Sequence, residues 1–462
     1  MFNEYIGTKE IKNIHFRGIG GVSMSGLAAT LKLSGYNITG SDDYESNYTK
    51  KLEDMDIKVS IGKNLDLVRN ADIFIYTDSI SEEDEELVLA KELNIPLLTR
   101  AEALGAITKK YDSIAVAGTN GKTTTTAMTS VIFLEANKDP SIQIGAYLKN
   151  IDANYRIGES DKLILEACEY KENFYKFEHK TAIILNIDCD HLDYYRDINH
   201  IKEAFYNFAV KTEDGGNIIL NADDPNSLEL LKRLESEKQN YNIYTFGLNP
   251  NSNVSARNIK YDDYHMKYEL IHNNEILGEI SLNIFGNFNV LNSLAAIATA
   301  LAYDIKFEKI RDGLAKYYGA DRRFEYRGKI NGASVYDDYA HNPTKVRELS
   351  TVAKMLNKET WIVFEPHTYT RTIELFNDFV NALKEYDNII ITEIFAAREK
   401  NTYNISSIDL VDEINEKYNK SAVYIKEYPD IIKYLKENVK GDELILFVGA
   451  GTINKLYDLV EE

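Results

Sequence analysis

Apolar residues in this chain come in short runs that end in glycine or in charged and hydroxyl groups, with longer amphipathic stretches between them. Runs at residues 11–16, 37–40, 71–76 and 96–98 are too short for helices and read as buried strands. A helical pattern through Leu27, Leu31 and Leu33 follows the first run and stops at Gly35. The alternation predicts a small parallel α/β domain over residues 1–108. A second domain, residues 109–318, follows from strands at 113–116, 162–165, 181–187 and 216–220, a helix reaching 136, an irregular strand-rich stretch at 241–284 and a long helix at 289–302. In a third, residues 319–462, the stretch 324–336 alternates like a hairpin around Asn331-Gly332. Asn342-Pro343 then has the form of a helix cap followed by proline at the first helical position. Strands at 361–364, 388–392, 422–425 and 444–448 alternate with amphipathic helices. No repeat or low-complexity linker separates the three sections, so they are expected to pack around a shared cleft.

The strand at 113–116 runs into Gly118-Thr119-Asn120-Gly121-Lys122-Thr123-Thr124 and then into a helix. Strand, glycine loop, Lys-Thr and helix make the phosphate cradle of nucleotide-hydrolysing proteins. The glycines bring backbone N–H groups up to phosphate oxygens, and the helix N-terminus adds a positive dipole end. Lys122 can neutralise the β and γ phosphates, and the Thr123 hydroxyl can ligate Mg²⁺. Two residues stand between the glycines where the usual loop has four, so the match is to a shortened variant.

Composition narrows the class. The chain has 462 residues, 44% apolar and 27% charged, as in a globular protein of several domains. Met1 to Glu4 does not read as a secretory leader, and no apolar run approaches bilayer length. A cytoplasmic protein without a membrane partner is expected. Cys168 and Cys189, the two cysteines, are neither a disulfide framework nor metal-finger spacing, and free thiols are expected. A net charge of −20 argues against a nucleic-acid partner but leaves anionic small molecules open, because a few convergent cations set a local field.

Further clusters fall at strand ends, where open parallel sheets bind ligands. Gly18, Gly20, Gly21 and Ser23 nearly fit a dinucleotide fingerprint, with Ser23 in the place of the third glycine. Asp42, at the end of the next strand, is placed to meet a ribose hydroxyl. Any diphosphate would suit the same turn. Glu166 and His191 follow strands of the second domain and are expected at the mouth of the phosphate loop; a carboxylate suits Mg²⁺, and an imidazole does so less often. Arg322 and Arg323 stand where the second domain meets the third, with guanidinium groups suited to phosphate or carboxylate. Asp337, Asp338, Tyr339 and His341 close one strand, and His367 to Arg371 follows another. Such clusters could bind a ribose and a small amino acid.

Taken in order, these motifs resemble the Mur ligases, the ATP-dependent amino-acid-adding enzymes of peptidoglycan synthesis. The matching segments are His15 to Gly21, Gly118 to Thr123, Glu166 to Tyr170, Asp190 to Asp193, Asn289 to Asn292, Arg322 to Phe324, Asp337 to His341 and His367 to Thr372. The resemblance spans the chain. It implies a Rossmann-like first domain, a P-loop ATPase-like central domain and a Rossmann-like third domain. Within the family the pattern is similar to the branch that joins L-alanine to the carboxylate of UDP-N-acetylmuramate.

That likeness implies roles. Gly18, Gly20, Gly21, Ser23 and Asp42 would hold the UDP moiety. Gly118 to Thr124 would cradle the ATP phosphates, with Thr123 and Glu166 on one Mg²⁺ and His191 on a second. Asn289 and Asn292 would meet adenine, and Asp337 or Asp338 the ribose. Arg322 and Arg323 would bind phosphate and substrate carboxylate; Tyr339, His341 and Arg371 would recognise alanine. The proton of the alanine ammonium would pass to His191 or to a nearby carboxylate. A monomer or weak homodimer is expected. The family usually carries His where Asn120 stands, and often a second His where Asn342 stands. Two alternatives share part of the pattern: a ligase adding a preformed peptide to the same nucleotide in wall recycling, and a nicotinamide-dependent oxidoreductase, supported by the first glycine cluster alone.

Overall fold

The computed structural model describes residue 2 and residues 11–191, 194–237, 240–262, 265–397 and 399–460. Leu192 and Asp193 of the Asp190 to Asp193 segment, and Met1, Asn3 and Glu4, lie outside the described residues. Among the described residues the strands form three sheets. The first has five parallel strands in the order Lys58–Ile61, Asn37–Asp42, Asn13–Arg17, Ile73–Tyr76, Leu97–Thr99. Strand order reverses beside the central strand Asn13–Arg17, the switch point at which such sheets open a crevice. Helix Val22–Leu33 leaves from there, its N-cap being Gly21.

The second sheet has ten strands. Its parallel centre orders Tyr241–Gly247, Thr212–Asn221, His179–Ile184, Asp112–Ala117, Lys162–Glu166 and Ser141–Leu148. The stretch expected to be irregular continues the sheet outward as Val254–Asp262, His265–His272 and Glu275–Leu282, the last two joined to their neighbours antiparallel. Helices Lys122–Glu135 and Asn287–Ala302 pack against each other over one face, with most of their apolar residues buried. The strand expected at 181–187 ends at Ile184 instead. Leu185 and Ile187 stay buried, but Asn186 turns its side chain to the phosphate loop, so the apolar run outlasts the ladder.

The third sheet orders Glu325–Ile330, Ala333–Asp338, Leu444–Val448, Thr360–Phe364, Asn388–Ile391 and Val423–Tyr424. Its first pair is the expected hairpin, with Ile330 opposite Ala333 and positive φ at both Asn331 (48°) and Gly332 (93°), the mirror-image turn that matches strand twist. Asn342 caps helix Pro343–Met355, its Oδ1 accepting from Lys345 N at 2.9 Å.

The domains are stitched by polar contacts. Gln143 donates to Thr30 Oγ1 at 2.6 Å and to Gly26 O at 3.3 Å, seating helix Val22–Leu33 on the second sheet. Thr344 Oγ1 donates to Asp188 at 3.1 Å, tying the third domain to the second. No helix among the described residues is long and apolar enough to cross a membrane.

Candidate active site

The phosphate loop leaves strand Asp112–Ala117 and enters helix Lys122–Glu135. Gly121 caps that helix with φ +87°, and a Cβ there would lie 2.4 Å from Asn292 Oδ1. Glycine is therefore required both for the turn and for the approach of Asn292. Asn120 is fixed by Asn186, which accepts from its N–H at 2.8 Å and donates back to its carbonyl at 3.1 Å. Lys122 Nζ reaches both oxygens of Glu169, at 3.0 and 2.8 Å, and the carbonyl of Gly118. Burial works against the ammonium, but Glu169 foremost, with Cys168 and Glu166, outweighs it and holds the pKa above the ordinary lysine value.

The expected convergence on this loop is present. Glu166 ends its strand with Oε2 accepting from Thr123 Oγ1 at 3.2 Å and Oε1 accepting from Gly145 N at 2.6 Å. His191 lies 3.9 Å from Glu169 and packs on the Tyr170 ring. From the third domain Arg323 donates to Thr123 Oγ1 at 3.3 Å. Arg322 pairs instead with Asp337, Nε to Oδ2 at 3.2 Å, and donates to Gly449 O at 2.6 Å. Both guanidiniums lie over Tyr339. Arg371 meets Asp190 at 3.3 Å, and Asn342 Nδ2 donates to Asn120 Oδ1 at 3.1 Å. His191, Arg322 and Thr368 hold left-handed backbone at non-glycine positions, strain that gathers at functional sites.

Lys122, Thr123, Glu166, Glu169, Asp190, His191, Arg322, Arg323 and Tyr339 line a cavity of about 600 Å³, whereas Arg371 and Thr368 line a smaller pocket beside it. The first domain contributes Val22 and Tyr48 to the larger cavity, the second Lys122, Thr123, Glu166 and His191, the third Arg322, Arg323, Tyr339 and His341. A further pocket adjoins the loop and is lined by Gly121, Asn289, Asn292, Phe288, Phe324 and Asp338. Asn289 and Asn292 are hydrogen-bonded to each other at 3.2 Å. Of the two adjacent acids, Asp338 faces this pocket, whereas Asp337 is buried beside Arg322 with Oδ1 lacking a protein partner. Burial pushes Asp337 up to about 6 and raises Asp338 as well.

The first glycine cluster sits apart from these walls. Gly18 N bonds to Ser41 O, Asp42 accepts from Gly20 N at 2.8 Å and from Tyr44 N at 3.3 Å, and Ser23 Oγ accepts from Arg100 at 3.1 Å. Asp42 thus closes its own loop, and Val22, the residue between Gly21 and Ser23, carries that loop to the cavity. Beneath it Arg17 is buried among Asp43, Asp84 and Glu86. Cys168 and Cys189 are free.

Three groups at the centre were given no role by the sequence: Glu169, within a matching segment, Asn186 and Lys345. Glu169 follows Glu166 by three residues, and Lys345 is the third residue of a helix whose cap was legible. Only the fold reveals that all three face the phosphate loop or its cavity.

A phosphate loop in the middle of three α/β domains, with carboxylates, guanidiniums and imidazoles from two of them on one cavity, defines a nucleotide-dependent enzyme. The chain belongs to the Mur ligase family, whose members are ATP-dependent ligases. The Mur ligase family catalytic domain matches residues 13–112, the Mur ligase middle domain residues 116–300, and the Mur ligase glutamate ligase domain residues 322–451. The UDP-N-acetylmuramate–L-alanine ligase of Clostridium novyi is 42% identical over 454 residues, covering 98% of this chain and 97% of its own. That of Clostridium perfringens is 43% identical over 451 residues, 97% of each chain. The crystal structure of UDP-N-acetylmuramate–alanine ligase from Thermotoga maritima superposes with a TM-score of 0.81 at 26% identity, covering 97% of this chain and 98% of that one. A murein peptide ligase from Psychrobacter arcticus shares the fold, with a TM-score of 0.72 at 22% identity over 97% and 98% of the two chains. Family membership sets aside the nicotinamide reading of the first glycine cluster.

Proposed function

We propose that this chain joins L-alanine to the carboxylate of UDP-N-acetylmuramate with hydrolysis of ATP to ADP and phosphate, in the synthesis of peptidoglycan precursors. The observation that carries the reading is the single cavity shared by phosphate loop, Glu166 and the third-domain cluster. Full-length identity of more than 40% to L-alanine ligases of two clostridia supports the choice of amino acid. The reading places the chain in the cytoplasm as a monomer or weak homodimer, acting on small molecules, with no nucleic acid or membrane partner.

The chemistry must bring two anions together. A muramate carboxylate attacks the γ-phosphorus of ATP, ADP leaves, and an acyl phosphate results. The alanine amine then attacks the acyl carbon and phosphate leaves. Lys122 and the loop N–H groups bind the transferring phosphate, and Arg323, on the Thr123 hydroxyl, adds a second cation. Asn289 and Asn292 border the adenine, and Asp338, on the pocket wall, meets the ribose. His341 Nδ1 donates to Tyr339 O at 2.9 Å, leaving Nε2 as an acceptor. Burial, with Lys345 and Arg371, pushes His341 well below its ordinary pKa, so the ring is neutral and can accept from the alanine ammonium. Arg371 lines an adjoining pocket rather than this cavity, and reaches it through Asp190, which lines both, so its part in binding the alanine carboxylate would be made through that edge. Closure of the three domains around the cavity would keep water from the acyl phosphate.

Thr123 and Glu166 present hard oxygens 3.2 Å apart on the cavity wall and fit a Mg²⁺ completed by phosphate oxygens; His191 stands close by for a second ion. Among the described residues no cluster of three acidic, His or Cys side chains forms a metal cage. Mg²⁺ there would screen the charge of the phosphates.

Phosphate release by purified protein tests the reading. It is expected only when UDP-N-acetylmuramate, L-alanine and ATP are all present. Turnover with a preformed peptide but not with alanine would move the chain to the recycling reaction, and release without either acceptor would remove the ligase assignment.

A further inference from the structure

Cations around the phosphate loop are mostly spent. Lys122 is paired with Glu169, Arg322 with Asp337 and Arg371 with Asp190. Two remain without a carboxylate partner among the described residues: Arg323, which touches the Thr123 hydroxyl, and Lys345, whose ammonium makes no hydrogen bond or ion pair. Arg323 and Lys345 are also the two side chains that line both the base pocket and the reaction cavity. A nucleotide with its base in the first and its γ-phosphate in the second must lay its phosphates between them.

Lys345 is placed there by local structure. It is the third residue of helix Pro343–Met355, with its N–H held by Asn342 Oδ1. Asn342 in turn donates to Asn120 of the phosphate loop. The helix start is therefore fixed one residue from the anion cradle, and the Lys345 side chain grows from its first turn. Burial, with Arg323 and Lys122 nearby, lowers the lysine to about 8, although Asp190 and Asp338 oppose the shift. Glu348, which shares the base pocket, is pushed up by burial to about 7. An ammonium so crowded by cations and lacking a counter-ion is a site for an anion.

We propose that Lys345 is a phosphate-binding residue: a second ammonium, supplied by the third domain, that contacts the β- and γ-phosphates of ATP opposite Lys122. It makes triphosphate binding draw the third domain onto the phosphate loop. The inference rests on the ATP-dependent reading of this site and assigns a residue that the motif reading leaves without a role.

Calorimetric binding of a non-hydrolysable ATP analogue, ADP and AMP to the full chain tests it. Lys345→Met is expected to weaken the ATP analogue roughly tenfold to a hundredfold, the span for one charge-assisted hydrogen bond, and to leave AMP unchanged. Lys345→Arg should recover most of the loss, and KM for ATP should rise while KM for alanine does not. Equal weakening of AMP and the ATP analogue would make the role structural, and unchanged affinity for the analogue would overturn the proposal. Failure of the parent protein to bind any nucleotide would instead overturn the ligase reading itself.

Discussion

The side-chain amide of Asn342 donates to Oδ1 of Asn120 at 3.1 Å, joining the cap of a third-domain helix to the phosphate loop of the second domain. Both residues are buried, and Asn120 is held from its other side by Asn186. They are also the two positions at which the resemblance leads one to expect histidine. The two asparagines are thus one pair in space, with a neutral donor and acceptor across the interface.

Such a pair should behave as a unit. Asn120→Ala removes the bridge alone. Asn342→Ala removes the bridge, a 3.5 Å contact to Asp190 and the helix cap, the last costing about 1 kcal/mol of stability. Each is expected to raise KM for ATP. A double-mutant cycle in kcat/KM for ATP should return a coupling of about 0.5–1.5 kcal/mol. Additive single effects would mean that the contact does not transmit between the domains.

Lys122 and Glu169 predict a separation of activity from stability. Lys122→Ala should lower kcat by about a hundredfold to a thousandfold, as for loss of one donor to a developing charge. It also strands Glu169, which is 3% exposed, without its ammonium. The thermal midpoint is therefore expected to fall, and Glu169→Gln in the same chain should restore much of it without restoring turnover. Recovery of turnover by the second change would show that Lys122 serves only to neutralise Glu169.

What the sequence could and could not reveal follows from the range of each interaction. The phosphate loop, the Asn331-Gly332 turn and the Asn342-Pro343 cap are set by residues within four or five positions, and each lies where the pattern places it. Strand Lys58–Ile61 was not legible, because it is half-exposed and carries no apolar run. Strands Ser141–Leu148 and Ala153–Arg156 carry no continuous apolar run: Ile142, Ile144 and Leu148 enter the core, but between and after them Gln143 and Asn154 bond to helix Val22–Leu33. The same limit applies to the site. Glu166 and His191 follow apolar strands and declare themselves; Lys345 acquires meaning from Asn120, more than two hundred positions away in sequence.

Glu166 meets Thr123 and the Gly145 N–H through different oxygens. Glu166→Gln keeps the shape and removes the charge, so the backbone contact can survive. The Mg²⁺ concentration needed for half-maximal rate should rise, with KM for alanine little changed. A Mg²⁺ titration superimposable on that of the parent would count against a ligand role for Glu166.

Asp337 gives a pH signature. Burial lifts its carboxyl to about 6 in the folded chain, although Arg322 opposes the shift, against about 3.9 in an unfolded one. Between those values the folded state keeps a proton that the unfolded state has released. Stability then falls as pH rises through this window, by about 3 kcal/mol, and is level above it. Asp337→Asn cannot ionise and escapes that loss, while its side-chain oxygen can still accept from Arg322 Nε. The stability of the variant relative to the parent, read from denaturant unfolding, should therefore climb between pH 4 and 6.5 and then stay constant. A difference that is flat across the range would mean that Asp337 is ionised throughout, with Arg322 outweighing its burial.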